Sequence, residues 1–97
     1  MVEILKTDVF NDWLEGLRDA RAKVRIGARI DRLALGNPGD VTPVGEGVSE
    51  LRIDYGPGYR VYFTQHGLLI AILLCGGDKR TQDADIAEAR RLAKAWE

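Results

Sequence analysis

ELRIDYGPGYRVYF, residues 50–63, is the stretch on which the fold turns. Two short runs alternate charged and apolar residues on either side of Tyr55-Gly56-Pro57-Gly58-Tyr59. Strand side chains point to opposite faces in turn, so Leu51, Ile53 and Tyr55 share one face while Glu50, Arg52 and Asp54 share the other. In the returning run Val61 and Phe63 are the natural core pair, which puts Arg60, Tyr62 and Thr64 opposite. A hairpin that joins the apolar sets therefore also places Arg52 and Arg60 together on the outer face. Two guanidiniums on one rigid face can clamp a phosphate, because each offers a planar fork of donors. The competing reading is that both merely pair with Glu50, Asp54 or other surface carboxylates, which is common and of little consequence.

Working outward, His66-Gly67 is a two-residue turn with glycine available for positive φ, a hairpin signal. The run Leu68 to Cys75 is apolar at every position, the pattern of a central strand covered on both faces. Upstream, residues 36–47 hold four glycines and two prolines and read as loop. Further back, VEIL predicts a strand over 2–6, and Thr7 or Asp8 can cap a helix bearing Val9, Phe10, Trp13, Leu14 and Leu17. After a break or bend at Arg18-Asp19, a second helix runs to about Leu35 with Ala22, Ile26, Ile30 and Leu33 on one stripe. Gly36 then offers a C′ position and Pro38 blocks continuation. A last helix starts near Thr81 or Asp83 with Ile86, Ala89, Ala93 and Trp96 as its stripe, and Asp83 and Asp85 in the first turn suit its dipole. The order is β-α-α-β-β-β-α, an α+β fold with strands at 48–55, 59–65 and 68–75. Short turns make these strands antiparallel; two helices cover one face and the last packs at an edge or on part of the other.

Ninety-seven residues, 45% apolar and 30% charged, fit one small globular domain spanning 1–97. The lone Cys75 can form no internal disulfide and reads as a buried small hydrophobe. MVEILKTDVF lacks the basic flank and apolar stretch of a signal peptide, and the longest apolar run, eight residues, falls short of the ~20 that span a bilayer. A reduced cytoplasmic protein with no membrane partner is expected. The formal charge of −1 conceals an uneven distribution. Residues 1–17 set one lysine against four carboxylates, whereas residues 18–32 set six basic side chains against two acids. Arg18, Arg21, Arg25, Arg29 and Arg32 line one helical face, where like charges repel by a few tenths of a kcal/mol per pair. Either acidic neighbours offset that repulsion, or Arg25 and Arg29 and their neighbours meet RNA or an acidic protein segment.

GGDKR, residues 76–80, leaves the buried strand with Gly77 able to bring backbone N–H groups to an anion, and with Lys79 and Arg80 adding charge. Alternatively it is a flexible connection; it gains weight only if it lies at the sheet end that carries Arg52 and Arg60. His66 reads as a turn residue rather than a general base, and Phe10, Trp13 and Trp96 read as core. Tyr55 and Tyr59 could stack on a base or shield the turn. No metal-ligand spacing, Walker-type loop or nucleophile–base pair is evident.

Three segments, VGEGVSELRIDYGPGYRVYF (44–63), LLCGGDKRTQDADIAEA (73–89) and RIGARIDRLALGNPGD (25–40), resemble the phage-derived, HigB-like addiction module killer proteins of the RelE/ParE toxin superfamily. The resemblance covers nearly the whole chain and implies the toxin of a type II toxin–antitoxin module with a RelE-like fold. It further implies a ribosome-dependent mRNA endoribonuclease that needs neither metal nor small-molecule cofactor. In that chemistry the ribose 2′-OH attacks the adjacent phosphate. The enzyme orients the substrate, takes a proton, stabilises the phosphorane and protonates the leaving 5′ oxygen. By resemblance, Arg60 falls on the phosphate-stabilising arginine, Arg52 on one of two cleft lysines, and Lys79 and Arg80 near the arginine that follows the last strand. The second cleft lysine is replaced by Glu50, offered as a base with Tyr59 and Lys79 as further candidates; Asp85 stands about where a tyrosine is expected. The implied partners are a HigA-like helix-turn-helix antitoxin, the ribosome and mRNA. The superfamily also contains ParE-type gyrase inhibitors, and a degenerate relative would only bind its antitoxin.

Overall fold

Thr7 joins the first two elements of the computed structural model, which describes residues 1–96. It follows β1 (Glu3–Lys6) and caps α1 (Asp8–Gly16), its hydroxyl accepting from Phe10 N at 3.0 Å and donating to the Leu74 carbonyl at 2.6 Å. Asp19 caps α2 (Ala20–Ala34) by accepting from the N–H groups of Arg21 and Ala22, so Arg18 belongs to the linker rather than to the helix. The other end of α2 closes as the sequence predicts: Gly36, at φ +83°, donates to Leu33 O while Asn37 donates to Arg32 O. That pair of bonds satisfies carbonyls that a helix end leaves open.

The segment expected to be loop contains an additional strand, β2 (Val41–Gly45), paired antiparallel with β3 (Val48–Ile53). Glu46 and Gly47 form the two-residue connection, both with positive φ as a type I′ turn requires. Pro43 is tolerated because β2 lies at the sheet edge, where a missing donor breaks no inner ladder. β4 (Tyr59–His66) and β5 (Ile70–Gly77) complete a five-stranded sheet in the order β1-β5-β4-β3-β2, antiparallel except for the β1–β5 pair. β5 begins at Ile70, later than predicted; Leu68 and Leu69 stand exposed in a three-residue turn with Gly67. A run of apolar residues carries no phase to mark where the strand starts.

Both faces of the sheet are covered. Phe10 of α1 and Ile26, Ile30 and Leu33 of α2 pack on Leu51, Ile53, Val61, Phe63 and Leu73. On the other face α3 (Gln82–Ala95), preceded by a 3-10 turn at Lys79–Thr81, lays Ile86, Ala89 and Ala93 over Val48, Tyr62, Ile72 and Leu74. Trp96 caps this helix and is 42% exposed, so it does not extend the apolar stripe as expected. A bulge in β5 shifts the register between Tyr62 and Phe63 and turns both Leu74 and Cys75 toward α3. Beyond the bulge, Gly76 faces Trp13 of α1 and Gly77 faces Asp85 of α3. The mixed α+β architecture is thus the one expected, with one strand more. No helix among the described residues is long and apolar enough to cross a membrane.

Candidate functional site

Arg52 and Arg60 stand directly opposite each other in the β3–β4 register, one pair before the hairpin turn. Arg60 is in turn opposite Gly77 of β5, which brings the GGDKR segment to the same sheet end. Gly58 sits between the two groups: a Cβ placed on it would lie 3.6 Å from Lys79 Cβ and 3.7 Å from Arg60 Nη1. The backbone of Lys79 therefore passes beside the hairpin turn that carries the arginine pair, while its side chain is exposed and lines a neighbouring hollow with Arg80 and Gln82.

Two facing guanidiniums need a counter-charge, and Glu50 supplies it from beneath. Among the described residues it is the charged side chain with 0% exposure. Arg52 Nε donates to Oε1 at 2.9 Å; Tyr62 Oη and Gln82 Nε2 donate to Oε2 at 3.1 and 2.9 Å. Arg60 Nε lies 3.4 Å from Oε2 as an ion pair, out of line for a hydrogen bond, while Arg60 Nη1 donates to Gly58 O at 3.1 Å. Burial by itself pushes the Glu50 carboxyl up. The hydrogen bonds from Arg52, Gln82 and Tyr62 and the Arg60 charge outweigh it and hold the group below the ordinary glutamate range. The Tyr62 hydroxyl is pushed up, first by burial and then by the Glu50 charge, so it stays protonated and donates.

Both readings of the arginine pair are thus visible in one arrangement. The guanidiniums do pair with a carboxylate, but with a single buried one, leaving a net positive charge and outer Nη groups. Glu50, expected as a base, meets donors at both oxygens and has no exposed surface, so it cannot reach a substrate proton. A hollow of about 250 Å³ beside the pair is lined by Arg52, Arg60, Gly58 and Tyr59 together with Asp40 and Asp54. Tyr59 is half-buried with its ring 6.3 Å from that of Trp13, edge on.

The remaining candidates divide. Arg80 is exposed and folds back on Asp78, Nη2 to Oδ2 at 2.9 Å, which lowers the Asp78 carboxyl. Gly77 is buried under Asp85, whose carboxyl a Gly77 Cβ would meet 2.7 Å from Cγ. Asp85 is itself raised by burial, against the 2.5 Å hydrogen bond from Thr81 Oγ1, with Asp78 and Glu88 adding to the rise. On α2, Arg29 donates to the carbonyls of Arg52, Pro38 and Asp40 and serves as a wall between helix and sheet rather than a free phosphate contact. Arg25 stacks over the Tyr55 ring at 4.8 Å, and Tyr55 Oη donates to Asp19 at 2.8 Å, so that tyrosine fastens the turn to α2. Arg25 and Arg32 also line a second hollow of about 330 Å³ that shares Ile53 and Asp54 with the first. The two hollows meet at the Ile53-Asp54 end of β3. Gln82, Tyr62 and the burial of Glu50 escaped the sequence reading; the only trace was an acid at a position alternating with arginines.

Cys75 is 3% exposed, and burial, helped by Asp85 and Glu88, pushes its thiol up to about 12. The thiolate is the reactive form. Iodoacetamide at pH 7.5 is therefore expected to leave native protein unmodified and to label one site after denaturation, as read by intact mass.

The fold is a five-stranded sheet covered on both faces, with an arginine pair held on a buried carboxylate at one sheet end beside the basic helix α2. The family model for phage-derived proteins of the Gp49-like kind matches residues 12–96, and the chain belongs to that family, a toxin-like family of toxin–antitoxin systems. An uncharacterized protein of Haemophilus influenzae is 52% identical over 93 residues, covering 96% of this chain and 94% of that protein.

Proposed function

We propose that this chain is the toxin of a type II toxin–antitoxin pair and a HigB-like endoribonuclease that cleaves mRNA on the ribosome. The observation that supports it most is the pair Arg52 and Arg60 held over one buried carboxylate, with the Lys79 backbone passing beside their hairpin turn. The two guanidiniums outnumber the buried Glu50 they pair with, so the pair itself keeps one positive charge for a phosphodiester, while Asp40 and Asp54 at the hollow's lining limit where an anion can sit. As the 2′-OH attacks, the phosphorane gains a second negative charge, and Lys79 supplies the second positive one. An interaction that grows with the developing charge accelerates the chemical step rather than merely tightening binding. Arg60 and Arg52 hold the phosphoryl oxygens. Tyr59, in the hollow's lining, and Lys79, whose backbone passes beside Gly58, are the candidate groups to move protons. The neighbouring hollow lined by Arg25 and Arg32 offers cations to a flanking stretch of RNA backbone, and a HigA-like antitoxin neutralises the protein in the resting cell.

The test is transcriptome-wide mapping of new RNA 5′ ends after a brief pulse of the wild-type chain, beside an Arg60→Ala control whose fold is verified by circular dichroism. Cuts within translated frames that vanish in the variant are the expected result. Growth arrest with intact mRNA would overturn it and turn the reading toward gyrase inhibition. A folded chain that causes no arrest would mark a relative that only binds its antitoxin.

A further inference from the structure

Glu50 combines features that a surface ion pair does not. It is fully buried, and its partners come from three elements: Arg52 of β3, Arg60 and Tyr62 of β4, and Gln82 at the start of α3. A carboxylate taken out of water costs several kcal/mol unless every lone pair is met, and here each oxygen is met. Its hold on Arg52 runs through Nε, which fixes the direction of the guanidinium while leaving both Nη groups outward. Arg60 is fixed from two sides, by the Glu50 charge and by the Gly58 carbonyl, and its side chain is only 13% exposed. Without the carboxylate, the two guanidiniums would face each other across adjacent strands with like charge, an arrangement that is destabilising. Each would then swing out independently.

We propose that Glu50 is a positioning residue: its carboxylate touches no RNA but locks Arg52 and Arg60 side by side, so that a single phosphate is bracketed by both. This rests on the phosphate-handling reading given above. The lock has an electrostatic cost, since Glu50 subtracts one charge from a site that attracts anions. Positioning and binding are therefore opposed at this residue, and that opposition gives the inference its own signature. Removing the charge should leave RNA binding equal or tighter while the reaction slows. A misplacement of about 1 Å at a reacting group can cost on the order of 100-fold in rate.

The experiment compares wild type with Glu50→Gln in two arms. In the first, the free proteins are studied by NMR of arginine Nε–H groups. Wild type should show resolved resonances for Arg52 and Arg60 alongside those of other anchored arginines such as Arg29; in Glu50→Gln these two should merge with the averaged signal of exposed arginines while the Arg29 resonance and the backbone spectrum persist. This arm needs no nuclease activity, so it can fail independently of the functional reading. Unchanged Nε–H signals would overturn the lock. In the second arm, binding of a short RNA carrying a 2′-O-methyl group at the cut position should be unweakened, and cleavage of the unmodified RNA should fall about 10- to 100-fold. The limbs of the pH–rate profile should stay in place. A lost limb would make Glu50 a proton-transfer group, and an unchanged rate would make it structural only; either overturns the proposal. If Glu50→Gln does not fold, Gln82→Ala, which removes one donor from Oε2, should reproduce the same split between binding and rate at smaller size.

Discussion

Replacing Gly76 by alanine is expected to cost the chain at least about 3 kcal/mol, the upper end for forcing extra volume into a packed core. A Cβ at this position would sit 2.6 Å from Trp13 Cδ2 and closer still to two other ring atoms. Something must move, and neither side is free to. Gly76 is buried within β5, opposite Val61, where the ladder fixes the backbone. Trp13 is clasped between Phe10, 5.8 Å away ring to ring, and Tyr59. Small domains hold only about 5–15 kcal/mol in total, so a large share of the fold's stability rests on this one missing methyl group. Urea unfolding followed by tryptophan fluorescence measures the loss.

Two comparisons make the expectation specific. Gly27 lies inside α2 with nothing within 4 Å of where its Cβ would go, so Gly27→Ala should stabilise by roughly 0.5–1 kcal/mol through helix propensity. Gly76→Ala combined with Trp13→Leu should lose less than the sum of the two single losses, since the smaller side chain removes the clash. Additive losses would mean that the Gly76 constraint lies elsewhere than in Trp13.

The sheet was legible because its chemistry alternates. Leu51 and Ile53 against Glu50 and Arg52, returned by Val61 and Phe63 against Arg60 and Tyr62, set both faces and left one register to join them; the observed pairing of Arg52 with Arg60 is that register. Where alternation stops, so did the reading. Leu68 and Leu69 looked like strand because nothing in an apolar run marks phase, and the β5 bulge that sends Leu74 and Cys75 to one face has no local signal at all. β2 was hidden by Pro43 and the surrounding glycines, although Val41, Thr42 and Val44 beside Glu46-Gly47 are what an edge hairpin needs. The site was half legible. Its cations could be found from strand parity and resemblance, but the burial of Glu50 depends on α3 closing over the sheet and setting Gln82 against it, a long-range event. The packing of Trp13 against Gly76 and of Asp85 against Gly77 was likewise invisible in the sequence, since it too arises between distant elements.

Arg60 and Arg52 are expected to be unequal, and the inequality follows from burial. Arg60 is 13% exposed, its Nη1 anchored on Gly58 O and its Nε beside Glu50; Arg52 is 43% exposed and held at Nε alone. A donor already in place at the moment of reaction stabilises developing charge without reorganising, and does so in a site from which water is largely excluded. An exposed donor shares its work with solvent. On the ribonuclease reading, Arg60→Ala should lower single-turnover RNA cleavage about 10³-fold, in the range seen when a charge-stabilising donor is removed. Arg52→Ala should lower it about 10-fold and act partly through weaker binding, as for a salt-screened surface contact. Arg60→Lys separates charge from geometry. Lysine keeps the charge but lacks the planar fork that reaches Glu50, Gly58 and a phosphate together, so it should recover binding and little of the rate. Equal losses at the two arginines would place the phosphate symmetrically between them; a larger loss at Arg52 would move the reacting phosphate outward toward Asp40, away from Lys79.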